Sequence, residues 1–145
     1  MTGTAPSTAW SAAAAIQHHY DVGNDFYRLW LDPDLTYSCA MPEQRDDDLV
    51  AAQQRKLDHH LDAVGAERCG RLLDVGCGWG SVLDRALARG TGHAVGLTLS
   101  REQAAHIEQQ GDARREVRLE SWTDHVPTAR YDGIVSVGAF EHFAR

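Results

Sequence analysis

Apolar and polar residues alternate along the chain with two different periods, and each period predicts a different kind of element. Residues 49–64 place apolar side chains three or four positions apart with most charges between them, which predicts an amphipathic helix that ends at Gly65. Short apolar runs that lead into glycine or turn residues predict buried strands instead. There are four such runs, at residues 71–75, 94–99, 117–119 and 131–137.

Helical patterns separate the first three predicted strands. Residues 81–89 and 100–110 are predicted helices, and Ser100 with Gln103 three positions later is typical of a helix-capping box. Two shorter helices are predicted near the N-terminus, at residues 10–20 and 26–31. Strands that alternate with helices predict the α/β class, with an open parallel sheet.

The same pattern divides the chain into three parts: a flexible N-terminus (1–16), a helical cap segment (17–65) and a partial sheet domain (66–145). Residues 131–137 are apolar toward both faces, and only eight residues follow Val137. Because buried parallel strands are normally covered, this strand would form an exposed sheet edge. We therefore expect a fold truncated after the fourth strand: either a second polypeptide completes the sheet or the chain is a truncated product.

Charge and cysteine content narrow the possible functions. The net charge of -7 argues against broad contact with nucleic acid. Cys39, Cys69 and Cys77 lack metal-ligand spacing, which favours reduced thiols in the cytoplasm and no metal site. No apolar run approaches the roughly 20 residues of a membrane span, and the N-terminus lacks the basic region of a signal peptide.

The glycine-rich turn after the first predicted strand carries the clearest chemistry. Asp74-Val75-Gly76-Cys77-Gly78-Trp79-Gly80 joins a strand to a helix, where glycines let a ligand approach the backbone closely. Its G-x-G-x-G spacing differs from the G-x-G-x-x-G of a pyrophosphate-binding turn. Asp74, placed just before the turn, favours a cationic or amino-acid-bearing ligand.

The end of the second predicted strand lacks the acidic residue that often grips ribose hydroxyls. Thr98 and Gln103 offer neutral hydrogen bonds at this position instead. Ser100 and Gln103 are equally good helix-capping residues, so the pattern alone leaves binding and capping both open.

Five blocks, in order, resemble the cyclopropane-fatty-acyl-phospholipid synthase and mycolic acid cyclopropane synthase family. They include the glycine-rich turn and extend from about Gln17 to the last residue. The other four are His19-Tyr20-Asp21-Val22-Gly23-Asn24-Asp25-Phe26-Tyr27, Leu31-Asp32-Pro33 with Thr36-Tyr37-Ser38-Cys39-Ala40, Gly96-Leu97-Thr98-Leu99-Ser100-Arg101-Glu102-Gln103, and Ile134-Val135-Ser136-Val137-Gly138-Ala139-Phe140-Glu141-His142-Phe143.

The resemblance implies the N-terminal half of a Rossmann-like, S-adenosyl-L-methionine-dependent methyltransferase. It also implies that Cys39 and Glu141 help to hold a bicarbonate ion near the reacting methyl group, where an anion can act as a base. Thr123 stands where the family has an acid that contacts adenine together with Trp122. The cofactor-binding residues implied in this way are Tyr37, Ser38, Asp74, Gly76, Cys77, Gly78, Gly80, Thr98, Gln103, Trp122 and Thr123.

The implied reaction is methyl or methylene transfer to an unsaturated fatty-acyl chain, with at most transient contact with a membrane surface. Two alternatives remain open. One is a small-molecule methyltransferase of secondary metabolism, and the other is a non-catalytic cofactor-binding fragment or subunit. Members of the family continue well beyond the Phe140-Glu141-His142 block, so the resemblance also implies that activity needs a C-terminal half.

Overall fold

The computed structural model describes residues 23–140. Its helices are α1 (Asn24–Arg28), α2 (Leu49–Val64), α3 (Ser81–Ala88) and α4 (Arg101–Gln109), with a 3-10 turn at Ala66–Arg68. Its strands are β1 (Arg71–Val75), β2 (His93–Thr98), β3 (Arg115–Leu119) and β4 (Gly133–Val135). The predicted flexible N-terminus and the predicted helix at 10–20 lie outside the described residues.

The four strands form one parallel sheet in the order β3-β2-β1-β4. In the register of this sheet, Leu73 of β1 lies between Val95 of β2 and Ile134 of β4. Strands joined by helices in a parallel sheet confirm the predicted Rossmann-like α/β class. Within residues 23–140, β4 is an edge strand, and the 59% exposure of Ile134 confirms the expected open apolar edge.

β4 is shorter than its apolar pattern predicts, because it pairs with β1 over only three residues. The backbone N–H of Asp132 donates to the carbonyl of Arg71 at 2.8 Å, just before the ladder. After it, the Ser136 hydroxyl donates to the Val75 carbonyl at 2.8 Å, so a side chain takes the acceptor that a longer strand would use. The predicted strand at 131–137 is therefore limited to Gly133–Val135.

β3 is longer than predicted because ion pairs replace apolar contacts along it. Glu116 bonds to Arg71 of β1 at 3.1 Å, to His93 of β2 at 3.2 Å and to Arg118 at 2.6 Å. A pattern based on apolar residues therefore finds only the segment around Val117. The strand extends two residues further toward its N-terminus, from Arg115.

α2 has the predicted bounds. The Asp48 side chain accepts from the backbone N–H of Ala51 at 3.0 Å at its start, and Gly65 closes it in the left-handed conformation, with φ 62°. Of the face that the spacing predicts to be buried, Gln53, Leu57 and Leu61 are buried, but Leu49 is 47% exposed. Lys56, which the pattern places among the polar positions, is only 4% exposed.

One helical layer packs on the sheet face that carries Leu72. Leu57 and Leu61 of α2 share a core there with Leu72, Val82 of α3 and Val135. Residues of the predicted cap segment and of the predicted sheet domain thus contribute to one core, and the boundary after residue 65 stays a prediction. In the described part of the chain, no helix is long and apolar enough to cross a membrane.

Candidate functional site

A cavity opens at the carboxyl ends of β1 and β2, where parallel α/β sheets commonly bind ligands. Its walls come from the loop before α2, the glycine-rich turn, the β2–α4 junction, and the segments after β3 and β4. Nine residues that the sequence predicts to bind a cofactor line this cavity. They are Tyr37, Ser38, Asp74, Gly76, Cys77, Gly78, Thr98, Gln103 and Trp122.

The other predicted site residues are not brought into the cavity wall. Gly80 is the N-terminal capping residue of α3, and Thr123 bonds to the neighbouring Ser121 hydroxyl at 2.8 Å. Cys39 is exposed and is not among the residues lining the cavity. Glu141 lies outside the described residues, so its predicted role stays a prediction.

The glycine-rich turn is held by the end of β2 and leaves room for a ligand. The N–H groups of Gly76 and Cys77 both donate to the Leu97 carbonyl, at 3.0 and 2.9 Å. Gly76 has φ 81°, and a Cβ on it would lie 2.4 Å from the Ala139 side chain. Gly78 has φ 55°, and nothing lies within 4 Å of the Cβ position there. Gly76 is therefore required by packing, whereas Gly78 keeps open space beside the cavity.

Asp74 is a buried acid with unsatisfied hydrogen-bonding capacity. It is 1% exposed, and both of its carboxylate oxygens lack a hydrogen-bond partner among residues 23–140. Burial raises the pKa of Asp74 to about 7, with no neighbouring cation to offset the loss of solvent. Buried polar groups are rarely left unpaired, so a carboxylate in the wall of a cavity points to a ligand that donates hydrogen bonds or carries positive charge.

The β2–α4 junction holds Gln103 through a short hydrogen-bond network. The Thr98 hydroxyl donates to Gln103 Oε1 at 2.7 Å, and its oxygen accepts from the backbone N–H of Ser100 at 3.1 Å. The Ser100 hydroxyl accepts from the Gln103 N–H at 3.3 Å, which confirms the predicted N-cap. A capping box also requires the Gln103 side chain to accept from the backbone N–H of Ser100, and this part of the prediction is wrong. The Thr98 hydroxyl oxygen accepts from that N–H instead. The side chain of Gln103 keeps its amide N–H groups for another acceptor.

The loop that carries Tyr37 and Ser38 is fixed by a buried aspartate. One Asp32 carboxylate oxygen accepts from the backbone N–H of Thr36 at 2.7 Å, and the other accepts from the Thr36 hydroxyl at 3.0 Å. Between them Leu35 takes a left-handed φ of 52°, which is uncommon for a non-glycine residue. This turn places Tyr37 and Ser38 against the cavity.

An aromatic cluster ties α1 to the glycine-rich turn. The Trp79 indole N–H donates to the Asn24 side-chain oxygen at 2.7 Å, and the rings of Trp79 and Tyr27 lie 4.6 Å apart. α1 departs from its predicted bounds of 26–31 at both ends. It begins at Asn24, which the Trp79 indole holds, and it ends at Arg28.

Three residues near the site were not predicted by the sequence. Glu120 and Ser121 line the cavity beside Trp122, and Glu120 Oε1 bonds to His125 Nδ1 at 2.6 Å. Lys56 is buried behind Ser38. Glu120 and Ser121 follow the correctly predicted end of β3 but belong to none of the motif blocks. Lys56 lies in a helix where a cation is expected to face solvent. No group of three or more metal-binding side chains occurs among the described residues.

Sequence comparison relates the chain to one family over most of its length. The family model for mycolic acid cyclopropane synthetase matches residues 8–145. Cyclopropane mycolic acid synthase 2 of Mycobacterium tuberculosis is 45% identical over 135 residues, which are 90% of this chain and 44% of that protein. The corresponding synthase of Mycobacterium leprae is 44% identical over 138 residues, with the same two coverages. The chain spans less than half the length of these relatives.

Solved structures give the same relationship in three dimensions. The mycolic acid cyclopropane synthase CmaA1, complexed with SAH and CTAB, superposes with a TM-score of 0.83 at 44% identity, over 91% of this chain and 47% of that one. Coclaurine N-methyltransferase, bound to N-methylheliamine and SAH, superposes with a TM-score of 0.78 at 21% identity, over 87% of this chain and 38% of that one. The second likeness shows the shared fold alone.

Proposed function

Because the chain belongs to the mycolic acid cyclopropane synthetase family, we propose that its cavity binds S-adenosyl-L-methionine as the methyl donor for an unsaturated acyl chain. A bound cofactor would supply an electrophilic sulfonium methyl group. The residues of this chain bind and orient that cofactor and keep water from its buried end.

The observation that carries this proposal is the unpaired carboxylate of Asp74. The cofactor has an α-ammonium group, and its demethylated product keeps it. Either molecule can therefore donate to the two oxygens that have no partner in residues 23–140. Pairing with this ammonium stabilises the carboxylate form and lowers the pKa of Asp74 from about 7.

The opposite end of the cavity suits the adenosine moiety. Gln103 presents amide donors beside Thr98, which matches ribose hydroxyls without a formal charge. Trp122 is 48% exposed and lines the cavity, so its ring can pack against a base. Glu120 supplies a carboxylate on the same wall and, we propose, compensates for the acid that Thr123 replaces.

The acceptor and the complete reaction require more than the described residues. We propose an acyl-lipid acceptor because cyclopropane mycolic acid synthases are among the relatives. We also propose that the free edge of β4 receives a strand from a polypeptide segment that completes the sheet, since Ile134 leaves an exposed apolar edge there. The role of Cys39 and Glu141 in holding bicarbonate, and the cytoplasmic location, stay predictions.

Mass spectrometry of lipids tests the proposed reaction. The chain is co-expressed with the C-terminal half of a relative, in cells that make unsaturated acyl chains, and isotope-labelled methionine is supplied. We expect acyl chains that gain one labelled methylene or methyl group, and none when the chain carries Asp74→Asn. Labelled small molecules without labelled lipid would instead favour a small-molecule methyltransferase, and no labelled product would favour a non-catalytic cofactor-binding subunit.

A further inference from the structure

Lys56 is the only lysine among the 14 lysine and arginine residues of the chain. It lies in α2 and is 4% exposed, although lysine is among the residues least often fully buried. No carboxylate forms an ion pair with its ammonium in residues 23–140, and its hydrogen-bond partners are neutral. The position therefore holds a positive charge that no carboxylate of residues 23–140 contacts directly.

The hydrogen bonds of Lys56 lead to the cavity wall. Its Nζ donates to Ser38 Oγ at 2.5 Å and to Gln53 Oε1 at 2.7 Å. The Gln53 amide in turn donates to the Thr36 carbonyl at 3.2 Å and to the Ser38 carbonyl at 2.9 Å. α2 thus donates hydrogen bonds to both the backbone and the side chain of Ser38, which lines the cavity.

The bond from Lys56 decides what the Ser38 hydroxyl can do. An ammonium group has no acceptor, so it occupies a lone pair of Ser38 Oγ and leaves the serine proton free to be donated. Ser38 has no acceptor for that proton among the described residues. The Ser38 hydroxyl is therefore oriented to donate a hydrogen bond at the edge of the cavity, and the buried ammonium of Lys56 contacts its oxygen.

We propose that Lys56 is a positioning residue for the cofactor: its ammonium orients the Ser38 hydroxyl and supplies the positive charge that fixes the carboxylate of the cofactor's amino-acid end. Asp74, the unpaired acid of the same cavity, takes the ammonium of that end. One buried charge of each sign, not paired with the other, matches a zwitterionic amino-acid group. This inference rests on the proposed function, because it concerns the same ligand.

The electrostatics of Lys56 make its charge measurable. Burial lowers the pKa of Lys56 to about 8, and Asp32 and Cys39 oppose this shift. Cys39 and Asp32 face it from the loop, and His60 lies near it on the same helix. A ligand carboxylate nearby stabilises the ammonium, so binding raises the pKa of Lys56. Affinity for such a ligand then falls as the pH rises through about 8.

Two ligands distinguish a role of Lys56 in holding the ligand carboxylate from a role in protein stability alone. S-adenosylhomocysteine and its decarboxylated analogue share the adenosine and the amine, and only the first has the carboxylate. We expect Lys56→Met to weaken S-adenosylhomocysteine about tenfold or more, and to leave the decarboxylated analogue nearly unchanged. Arg55→Met is the matched control, because it removes one positive charge from the same helix at an ion pair with Asp47.

The single lysine also permits a direct readout in the unaltered protein. In a chain that carries no lysine-containing tag and is labelled with ¹³C at lysine Cε, one lysine side-chain signal reports the titration of Lys56. S-adenosylhomocysteine is expected to raise the midpoint, whereas the decarboxylated analogue is not. Equal weakening of both ligands by Lys56→Met, or an unchanged midpoint on saturation, would overturn the inference. If the wild-type chain binds neither ligand, the proposed function fails and the inference fails with it.

Discussion

At the scale of single residues, the site contains groups that destabilise the folded protein without a ligand and that a ligand can contact. Asp74 is buried with both oxygens unpaired, and Leu35 holds a left-handed conformation in the loop beside the cavity. Such features reduce stability unless a bound molecule or the surrounding packing offsets them. The glycine-rich turn, the acid before it and the neutral Thr98–Gln103 pair were all predicted from the sequence, because their residue types are unusual at those positions.

Asp74→Asn is expected to stabilise the free protein and to weaken cofactor binding. The folded-state pKa of about 7 exceeds the ordinary 3.8, so the stabilising effect of the protonated acid is complete below about pH 4 and is lost as the pH rises through 7. The rise of the Asp74 pKa from 3.8 to about 7 corresponds to at most ~4 kcal/mol in the free energy of unfolding. Urea unfolding at pH 5 and pH 8 should show the wild type losing stability relative to the variant, which keeps a neutral amide.

Calorimetry on the wild type and the Asp74→Asn variant measures the effect of Asp74 on ligand affinity. S-adenosylhomocysteine should bind the Asp74→Asn protein at least tenfold more weakly, because the amide lacks the charge that pairs with an ammonium. A variant that is no more stable at pH 8, or that binds as tightly as the wild type, would contradict the assignment of Asp74.

Gly78→Ala is expected to affect binding more than folding. Its φ of 55° makes alanine unfavourable by ~1 kcal/mol, but no protein atom lies within 4 Å of the new methyl group. Gly111→Ala is the matched control, since Gly111 has φ 70°, equally open surroundings and no place in the cavity wall. Thermal unfolding should show similar small losses for both variants. Only Gly78→Ala should weaken S-adenosylhomocysteine, and equal affinities would show that the turn does not approach the ligand.

At the scale of elements, the apolar pattern predicted which helices and strands occur more reliably than it predicted where each one begins and ends. α2 and α3 begin where expected, because the helical spacing of apolar residues starts at those positions. The bounds of β3 and β4 were missed, because charged partners extend one strand and the Ser136 hydroxyl shortens the ladder of the other. The burial of Lys56 was also missed, since its surroundings come from a loop distant in sequence. Long-range partners of this kind leave no local pattern.

The N-cap of α4 connects an element to the site and provides a test at this scale. Ser100→Ala removes the acceptor for the Gln103 N–H and should lower the free energy of unfolding by ~1 kcal/mol. It should also weaken S-adenosylhomocysteine, because Gln103 loses its support. Asp48→Ala removes the N-cap of α2 and serves as the comparison, with a similar loss of stability in urea. If the two variants bind equally well, the α4 junction does not position the ligand.

At the scale of the whole molecule, the described residues form a four-stranded sheet with a cavity at its carboxyl end and an exposed apolar edge at β4. The parts proposed to hold the cofactor come from all along the chain, from the loop before α2 to the segment after β4. If the proposed function holds, we expect cofactor binding and methyl transfer to be separable, since the first would need only this cavity and the second would also need an acceptor pocket. The order of strands was not predicted from the sequence, because strand neighbours depend on crossover connections.

Isothermal titration of the purified chain with S-adenosylhomocysteine tests the central claim, that this cavity is a cofactor site, most directly. We expect one binding site per chain, for which S-adenosyl-L-methionine competes. Asp74→Asn should weaken the affinity at least tenfold, and Gly111→Ala should leave it unchanged. If the folded wild-type chain shows no saturable binding, or if Asp74→Asn binds as tightly as the wild type, the claim that this cavity is a cofactor site is contradicted.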